Sequence, residues 1–254
     1  MSGFALMPPQ GTRVAVAGGC GGMGRVFVRA AVEAGLDVIV LDLARSIEAL
    51  PPPEEVLAVA CDASDEAQVK RAFEMIAAQG ARLDALINLV GFTNEPKALA
   101  DMPLAEWNEI LTGSLTSAFL LSANAIPLLR QAPDAAMVHV SSTFGVWVPQ
   151  TGFGPYAVAK AGIINLVRVL ATECGPGIRV NGLAPGITQT AFLHGGTGRL
   201  TKQTKTNTDM VAAMTPAKRI AQPEDMLGAL FFLIGPGSHY VTSQTLHVNG
   251  GLWS

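Results

Sequence analysis

The chain has 254 residues, is 49% hydrophobic and only 15% charged, and carries a formal net charge of −3. That length suits one domain with a sizeable core, and the slightly acidic balance without a basic run excludes a nucleic-acid partner. Cys20, Cys61 and Cys174 are widely separated and lack metal-ligand spacing, so reduced thiols and no metal are expected. The first residues lack a basic and then apolar leader pattern, and no segment reads as a membrane span. A cytoplasmic protein without membrane contact is the expectation.

The first eleven residues (1–11) read as a leader, and residues 12–254 as one domain. Within it, short β-branched runs alternate with longer helical stretches. Residues 12–17 are expected as strand one and 23–34 as a helix. Strand two is expected over 37–42, strand three over 56–60, and a helix over 66–78. Strand four is expected over 83–88, followed by one long helix over 104–129. Strand five is expected over 136–141 and a helix over 156–172, with Pro155 suited to its first turn. Strand six is expected over 178–183, and residues 245–248 close the sheet. This alternation predicts an α/β fold: a doubly wound, mostly parallel, Rossmann-like sheet of about seven strands in a single domain. Residues 187–215 break the rhythm with a glycine-hinged, polar stretch, which predicts a substrate lid.

Three sequence features carry chemistry. Tyr156 and Lys160 stand four residues apart, so a phenol and an ammonium share one helical face. A free phenol is a poor acid–base catalyst at neutral pH, and a neighbouring cation is expected to pull its pKa down. Second, the run from Gly18 to Gly24 joins strand one to the first helix. Glycines there let the backbone approach a pyrophosphate, and the helix N-terminus supplies N–H donors. Third, Asp42 ends strand two, where a carboxylate accepts from an adenosine ribose and repels a 2′-phosphate. With Arg45 as the only nearby cation, NAD is favoured over NADP.

Taken together, the glycine turn, Ser142, Tyr156 and Lys160 resemble the short-chain dehydrogenase/reductase family, in its single-domain branch. The resemblance spans essentially the whole chain in order, and Gly18, Gly22 and Gly24 have that family's spacing. It implies cofactor contacts at Gly18, Gly21, Gly22, Met23 and Gly24, at Asp42 and Leu43, and at Asp62 and Ala63. It further implies Asn88 and Gly91 after strand four, then Pro185, Gly186, Ile187 and Thr190 on the nicotinamide side. Tyr156 is implied as the proton-exchanging residue. Lys160 is its cationic partner and a ribose contact, and Ser142 the hydroxyl that fixes the substrate oxygen. Ala17 stands where the family usually has Thr, Leu89 where a second Asn is common, and Ser114 where an Asn supports a water relay to the lysine.

Phe92, Phe144, Trp147, Phe153 and Phe192 are expected to line an aromatic substrate pocket. That favours a small-molecule secondary alcohol or ketone, neutral and hydrophobic. His194, Arg199, Lys202 and Lys205 leave an anionic substrate as the alternative, while His139 reads as a core histidine. The leading expectation is an NAD-dependent alcohol dehydrogenase or carbonyl reductase. The other is a non-catalytic dinucleotide-binding scaffold or sensor on the same fold. Surplus apolar surface needs covering, and the helices over 104–129 and 156–172 resemble the four-helix contacts of family dimers and tetramers, which implies a homo-oligomer, dimer or tetramer.

Overall fold

The computed structural model describes residues 5–194 and 207–253. Its strands are β1 Arg13–Ala17, β2 Asp37–Asp42, β3 Leu57–Ala60, β4 Ala85–Asn88, β5 Ala135–Val140, β6 Ile178–Pro185 and β7 Thr245–Val248. Its helices are α1 Gly22–Glu33, α2 Ala44–Ala49, α3 Glu66–Gln79, α4 Leu104–Leu111, α5 Ser117–Leu129, α6 Gly154–Cys174, α7 Thr208–Met214 and α8 Leu227–Ile234. The seven strands form one all-parallel sheet in the order β3-β2-β1-β4-β5-β6-β7. The direction of strand succession reverses between β1 and β4. In an open parallel sheet a crevice forms at that switch point, beyond the carboxyl ends of the strands.

The inner strands are covered on both faces, which is why they read as near-continuous apolar runs, while the edge strands β3 and β7 are partly exposed. On one side Ala15, Ala17, Ile39 and Leu41 pack against Phe73 and Ile76 of α3, Leu121 of α5 and Val167 of α6. On the other, Val14, Val16, Val38 and Val40 meet Phe27 of α1 and Leu230 and Phe231 of α8. The Phe27 and Phe231 rings lie 5.0 Å apart between centroids.

The structure shifts several expected boundaries. β4 begins at Ala85, two residues late, although the Asp84 backbone still bonds to Arg13 O at 2.9 Å and accepts from Ala136 N at 3.0 Å, and its carboxylate accepts from Arg13 N at 2.8 Å and pairs with Arg82 at 3.0 Å. β6 runs two residues further, to Pro185, and α6 two residues further at each end. Helices α2, α7 and α8 were not anticipated. The long helix expected over 104–129 is continuous but contains one π-helical turn at Thr112–Thr116. By length and apolarity alone the span Leu104–Leu129 would cross a membrane, contrary to the sequence reading. Half of its most apolar window is buried inside the fold, so core packing accounts for that apolarity. The leader is not detached in residues 5–11: Gly11 N donates to Gly35 O at 2.8 Å.

One polar group in the core ties the centre of the sheet to α5. His139 is fully buried on β5, as expected of a core histidine. One ring nitrogen meets the Asn88 amide at 3.1 Å and the other the Ser122 hydroxyl at 3.0 Å. Burial, and then the charge of Lys160, pushes the imidazole down to about 4. An unfolded chain protonates this residue near about 6.5, so between the two values the unfolded state holds the extra proton and stability falls with pH. Acidification from about pH 7.5 to about pH 4.5 is expected to remove about 2–3 kcal/mol through this residue alone. His139→Gln should lose that much less than the wild type in matched denaturant titrations. Equal losses in the two proteins would show that another group carries the acid sensitivity.

Candidate active site

Two adjoining cavities occupy the switch-point crevice. The first, of about 360 Å³, lies beyond β1, β2 and β3 and is lined by Gly18, Gly21, Asp42, Leu43, Asp62, Ala63 and Gly91. The second, of about 270 Å³, lies beyond β4, β5 and β6. Ser142, Tyr156 and Lys160 line it, with Met23, Gly91, Pro185, Gly186, Ile187 and Thr190. Gly91 and Leu89 line both, so the two form one trough.

The glycine turn fits a pyrophosphate for a reason visible in its packing. Gly18 has φ +80°, and a side chain on Gly24 would begin 2.2 Å from the Gly18 carbonyl oxygen, so the turn closes only with glycine. The first turn of α1 carries no acidic residue and no side-chain cap. Its N–H groups and dipole therefore suit an anion. Gly22 and Gly24 do not line the cavities. Gly24 lies beneath Gly18, and Gly22 faces the Thr190 side chain. The Asp42 carboxylate accepts from Cys20 N at 2.9 Å and Leu43 N at 2.8 Å. Burial raises its pKa, opposed by those two N–H bonds and by Ser46. Asp62 is held by Ser64, whose N–H and hydroxyl donate to it at 2.9 and 2.6 Å.

Two expected contacts lie elsewhere. The Asn88 side chain is buried behind the trough, bonded to His139 and accepting from Val90 N at 3.0 Å. It shapes the turn to Gly91 and does not line either cavity. Phe92 lies on the first cavity, against Gly113 of the π turn, and not in the second cavity with the other aromatics. Its place two residues before Asn94 gave no sign of which side of Gly91 it would turn to.

The three catalytic candidates meet as the spacing predicts. Pro155 starts α6, and Tyr156 and Lys160 project from its first two turns. The Ser142 oxygen accepts from Phe144 N at 3.2 Å, which leaves its hydrogen for the Tyr156 oxygen. Ser141 Oγ donates to Lys160 O at 2.7 Å and Thr143 Oγ1 to Pro185 O at 3.0 Å, so the serine segment is fastened to α6 and β6. Lys160 Nζ, 5.7 Å from the Tyr156 ring centroid, donates to Val140 O at 2.8 Å. The expected lowering of the tyrosine pKa is absent. Desolvation pushes Tyr156 up to about 12, with only Ser142 opposing, and pushes Lys160 down to about 8. In this packed site burial outweighs the charge of the amine, which is directed at a backbone carbonyl.

Ser114 is fully buried in the π turn, and its Oγ has no hydrogen-bond partner among the described residues. A side chain on Gly91 would begin 3.6 Å from that oxygen and 3.0 Å from Lys160 Nζ, so both polar atoms flank the same glycine. The expected pocket aromatics Phe144, Trp147, Phe153 and Phe192 line the second cavity. Phe144 and Phe192 lie 6.0 and 5.7 Å from the Tyr156 ring. Thr93, Gln150 and Leu252 also line it and are not singled out by the sequence, while Met210, Val211 and Met214 reach it from within the stretch 187–215. The first three come from segments distant in sequence, and no local pattern marks them. Of the expected lid, the flanks 187–194 and 207–215 reach the cavity through Phe192, Leu193, Met210 and Met214. Arg199, Lys202 and Lys205 lie outside the described residues, and His194 does not line the cavity. No group of metal-ligating side chains occurs among the described residues.

A family model described as enoyl-(acyl carrier protein) reductase matches residues 18–253. The chain is 33% identical over 247 residues to a cis-4-hydroxycyclohexanecarboxylate dehydrogenase of Sinomonas cyclohexanicum, covering 94% of this chain and 96% of the relative. A short-chain dehydrogenase/reductase of Brucella melitensis, of the glucose/ribitol dehydrogenase kind, superposes with a TM-score of 0.85 at 25% identity, over 98% of this chain and 99% of its own. A 3-ketoacyl-(acyl-carrier-protein) reductase of the same organism, solved with NADH, shares the fold with a TM-score of 0.85 at 24% identity, over 98% and 99% of the chains. With its parallel sheet, glycine turn and Ser142–Tyr156–Lys160 cluster, the chain belongs to the short-chain dehydrogenase/reductase family of oxidoreductases, whose members bind a nicotinamide dinucleotide.

Proposed function

We propose that the protein is an NAD-dependent oxidoreductase that interconverts a neutral, hydrophobic secondary alcohol and its ketone. The observation that carries this reading is the convergence of Ser142, Tyr156 and Lys160 in an aromatic cavity that opens onto the glycine turn. NAD, when bound, supplies the hydride. The turn at Gly18 to Gly24 and the N-terminus of α1 hold its pyrophosphate, and Asp42 takes the adenosine ribose. The N–H bonds from Cys20 and Leu43 fix the Asp42 carboxylate in the first cavity, where it would oppose the 2′-phosphate of NADP, and Arg45, the one cation lining that cavity among the described residues, is exposed.

Ser142 donates to the substrate oxygen and positions it beside Tyr156, which gives or takes the proton at that oxygen. Lys160 holds positive charge under the tyrosine. Ser114 Oγ, unpartnered behind Gly91, holds a water that links the amine to the interior. Among the described residues Lys160 is the only charged side chain lining the cavity, which supports a neutral substrate. The Sinomonas relative, named for a hydroxycyclohexane substrate, supports a ring-bearing carbinol.

The direct test is NAD-linked oxidation of cyclic and aryl secondary alcohols, with NAD binding measured by calorimetry. Tyr156→Phe is expected to lower kcat about 10³-fold while the NAD dissociation constant stays within about threefold. Tight NAD binding without turnover of any alcohol or ketone would favour the scaffold reading instead.

Ser114→Ala is expected to lower kcat about tenfold with KM and NAD affinity unchanged, as removal of one relay contact would. An unaltered kcat would remove Ser114 from the mechanism.

The raised tyrosine and lowered lysine fix a pH dependence. The phenol stays protonated through the neutral range, so ketone reduction has its acid ready. Above about 8 Lys160 loses its charge. Reduction should hold level from about pH 6 to about pH 7.5 and decline above about pH 8, while alcohol oxidation rises as the phenol yields its proton. Rate profiles of kcat/KM in both directions check this, and a reduction rate that climbs through about pH 8 contradicts it.

A further inference from the structure

We propose that the substrate cavity continues, beyond a wall one residue thick, into an inner chamber that receives an unbranched hydrocarbon arm of the substrate. This rests on the alcohol–ketone reading above and adds a second subsite to it. A separate cavity of about 220 Å³ lies behind the root of the lid. Gly186, Ile187, Val211 and Leu252 line both that cavity and the catalytic one. Gly186 contributes no side chain, and the other three are half-buried aliphatics. Val211 stands on the short helix α7 and Leu252 in the C-terminal turn, both outside the sheet. Rotation of a few aliphatic side chains therefore joins the two spaces without disturbing a strand.

The chemistry of the chamber selects its occupant. Ala217, Ile220, Ala221 and Val248 supply apolar walls. Its polar side chains already have partners. Arg219 makes a two-pronged pair with Asp225, the second bond at 2.7 Å. The Asn249 amide donates to Trp253 O at 2.8 Å and accepts from Gly251 N at 2.9 Å, and Thr215 Oγ1 donates to Val211 O at 2.8 Å. An entering anion would find its one cation neutralised by Asp225, and a polar chain would have to compete with bonds already made. A hydrocarbon arm breaks none of them and leaves water. The catalytic cavity holds the carbinol and the chamber holds the tail.

The test is the chain-length series butan-2-ol, hexan-2-ol, octan-2-ol and decan-2-ol with NAD, on the wild type, Ala217→Phe and Leu252→Ala. Ala217 lines the chamber alone and is exposed at its outer end, so filling it spares both the core and the catalytic cavity. Each methylene that enters should raise kcat/KM by about threefold, mainly through KM. A rise of at least tenfold from butan-2-ol to octan-2-ol is expected in the wild type. Ala217→Phe should cancel most of it and leave butan-2-ol within about twofold, and Leu252→Ala should extend the rise to decan-2-ol. A flat series in the wild type, or an undiminished rise in Ala217→Phe, would overturn the chamber while butan-2-ol turnover left the alcohol–ketone reading standing. No turnover of any member would overturn the chamber, while turnover of the cyclic and aryl alcohols would keep the alcohol–ketone reading standing.

Discussion

The site depends on a buried amine. Lys160 is 3% exposed, lies under the Tyr156 ring, and donates to the carbonyl of Val140 at the end of β5. That bond joins the first turns of α6 to β5, next to the central strand, and Ser141 returns it by donating to the Lys160 carbonyl. The two bonds run in opposite directions between the same segments, so neither can slide without breaking the other. Ser142, the next residue, is thereby fixed opposite Tyr156. Desolvation of the amine is the cost, seen in its lowered pKa. The carbonyl dipole returns only part of the hydration that the ionised form loses.

This fastening matters because its parts come from opposite sides of a topological reversal. β1 delivers the glycine turn, and β4 delivers Gly91 on the far side of the reversal. β5 and β6 deliver the serine and the Pro185–Gly186 segment. Each strand ends at the same edge of a parallel sheet, so residues more than a hundred positions apart share one trough. The buried central strands of the sheet hold that edge in place. Residues 187–194 and 207–215 and the C-terminal turn, by contrast, contribute cavity walls from short, partly exposed elements. Rigid chemistry beside an adjustable wall is an arrangement that lets one catalytic cluster serve substrates of different shape.

The sheet was legible because its strands are short apolar runs separated by helical periods, and every expected strand formed within two residues of its reading. The Tyr156–Lys160 pair was legible because a spacing of four fixes a shared face whatever surrounds it. What failed depends on the third dimension. Phe92 is one residue beyond a glycine that lines both cavities, and which way it turns is decided by room beside Gly113. The resemblance marks Asn88 as a cofactor contact but does not show that its side-chain amide is taken by a buried histidine fifty-one positions away. The sign of the tyrosine shift was misread for the same reason. Spacing predicts a nearby cation, but the balance between its charge and the loss of water is set by how tightly Phe144, Phe192 and the sheet close around the ring.

Ser114 shows how a departure in sequence can be absorbed by the backbone. An asparagine side chain has two polar atoms to satisfy, whereas serine leaves one. The π turn around Ser114 widens the helix where it passes Gly91, and Ser117 Oγ donates to the carbonyls of Gly113 and Ser114 at 3.1 and 3.0 Å. The wider turn thus has part of its loosened carbonyl bonding restored from within the helix. A hydroxyl left unpartnered and fully buried carries a cost of about 1–3 kcal/mol unless a water meets it. With Lys160 Nζ on the other flank of the same glycine, such a water would have donors and acceptors on two sides. The π turn and the small side chain together leave one buried hydroxyl and the lysine amine on two flanks of the same glycine.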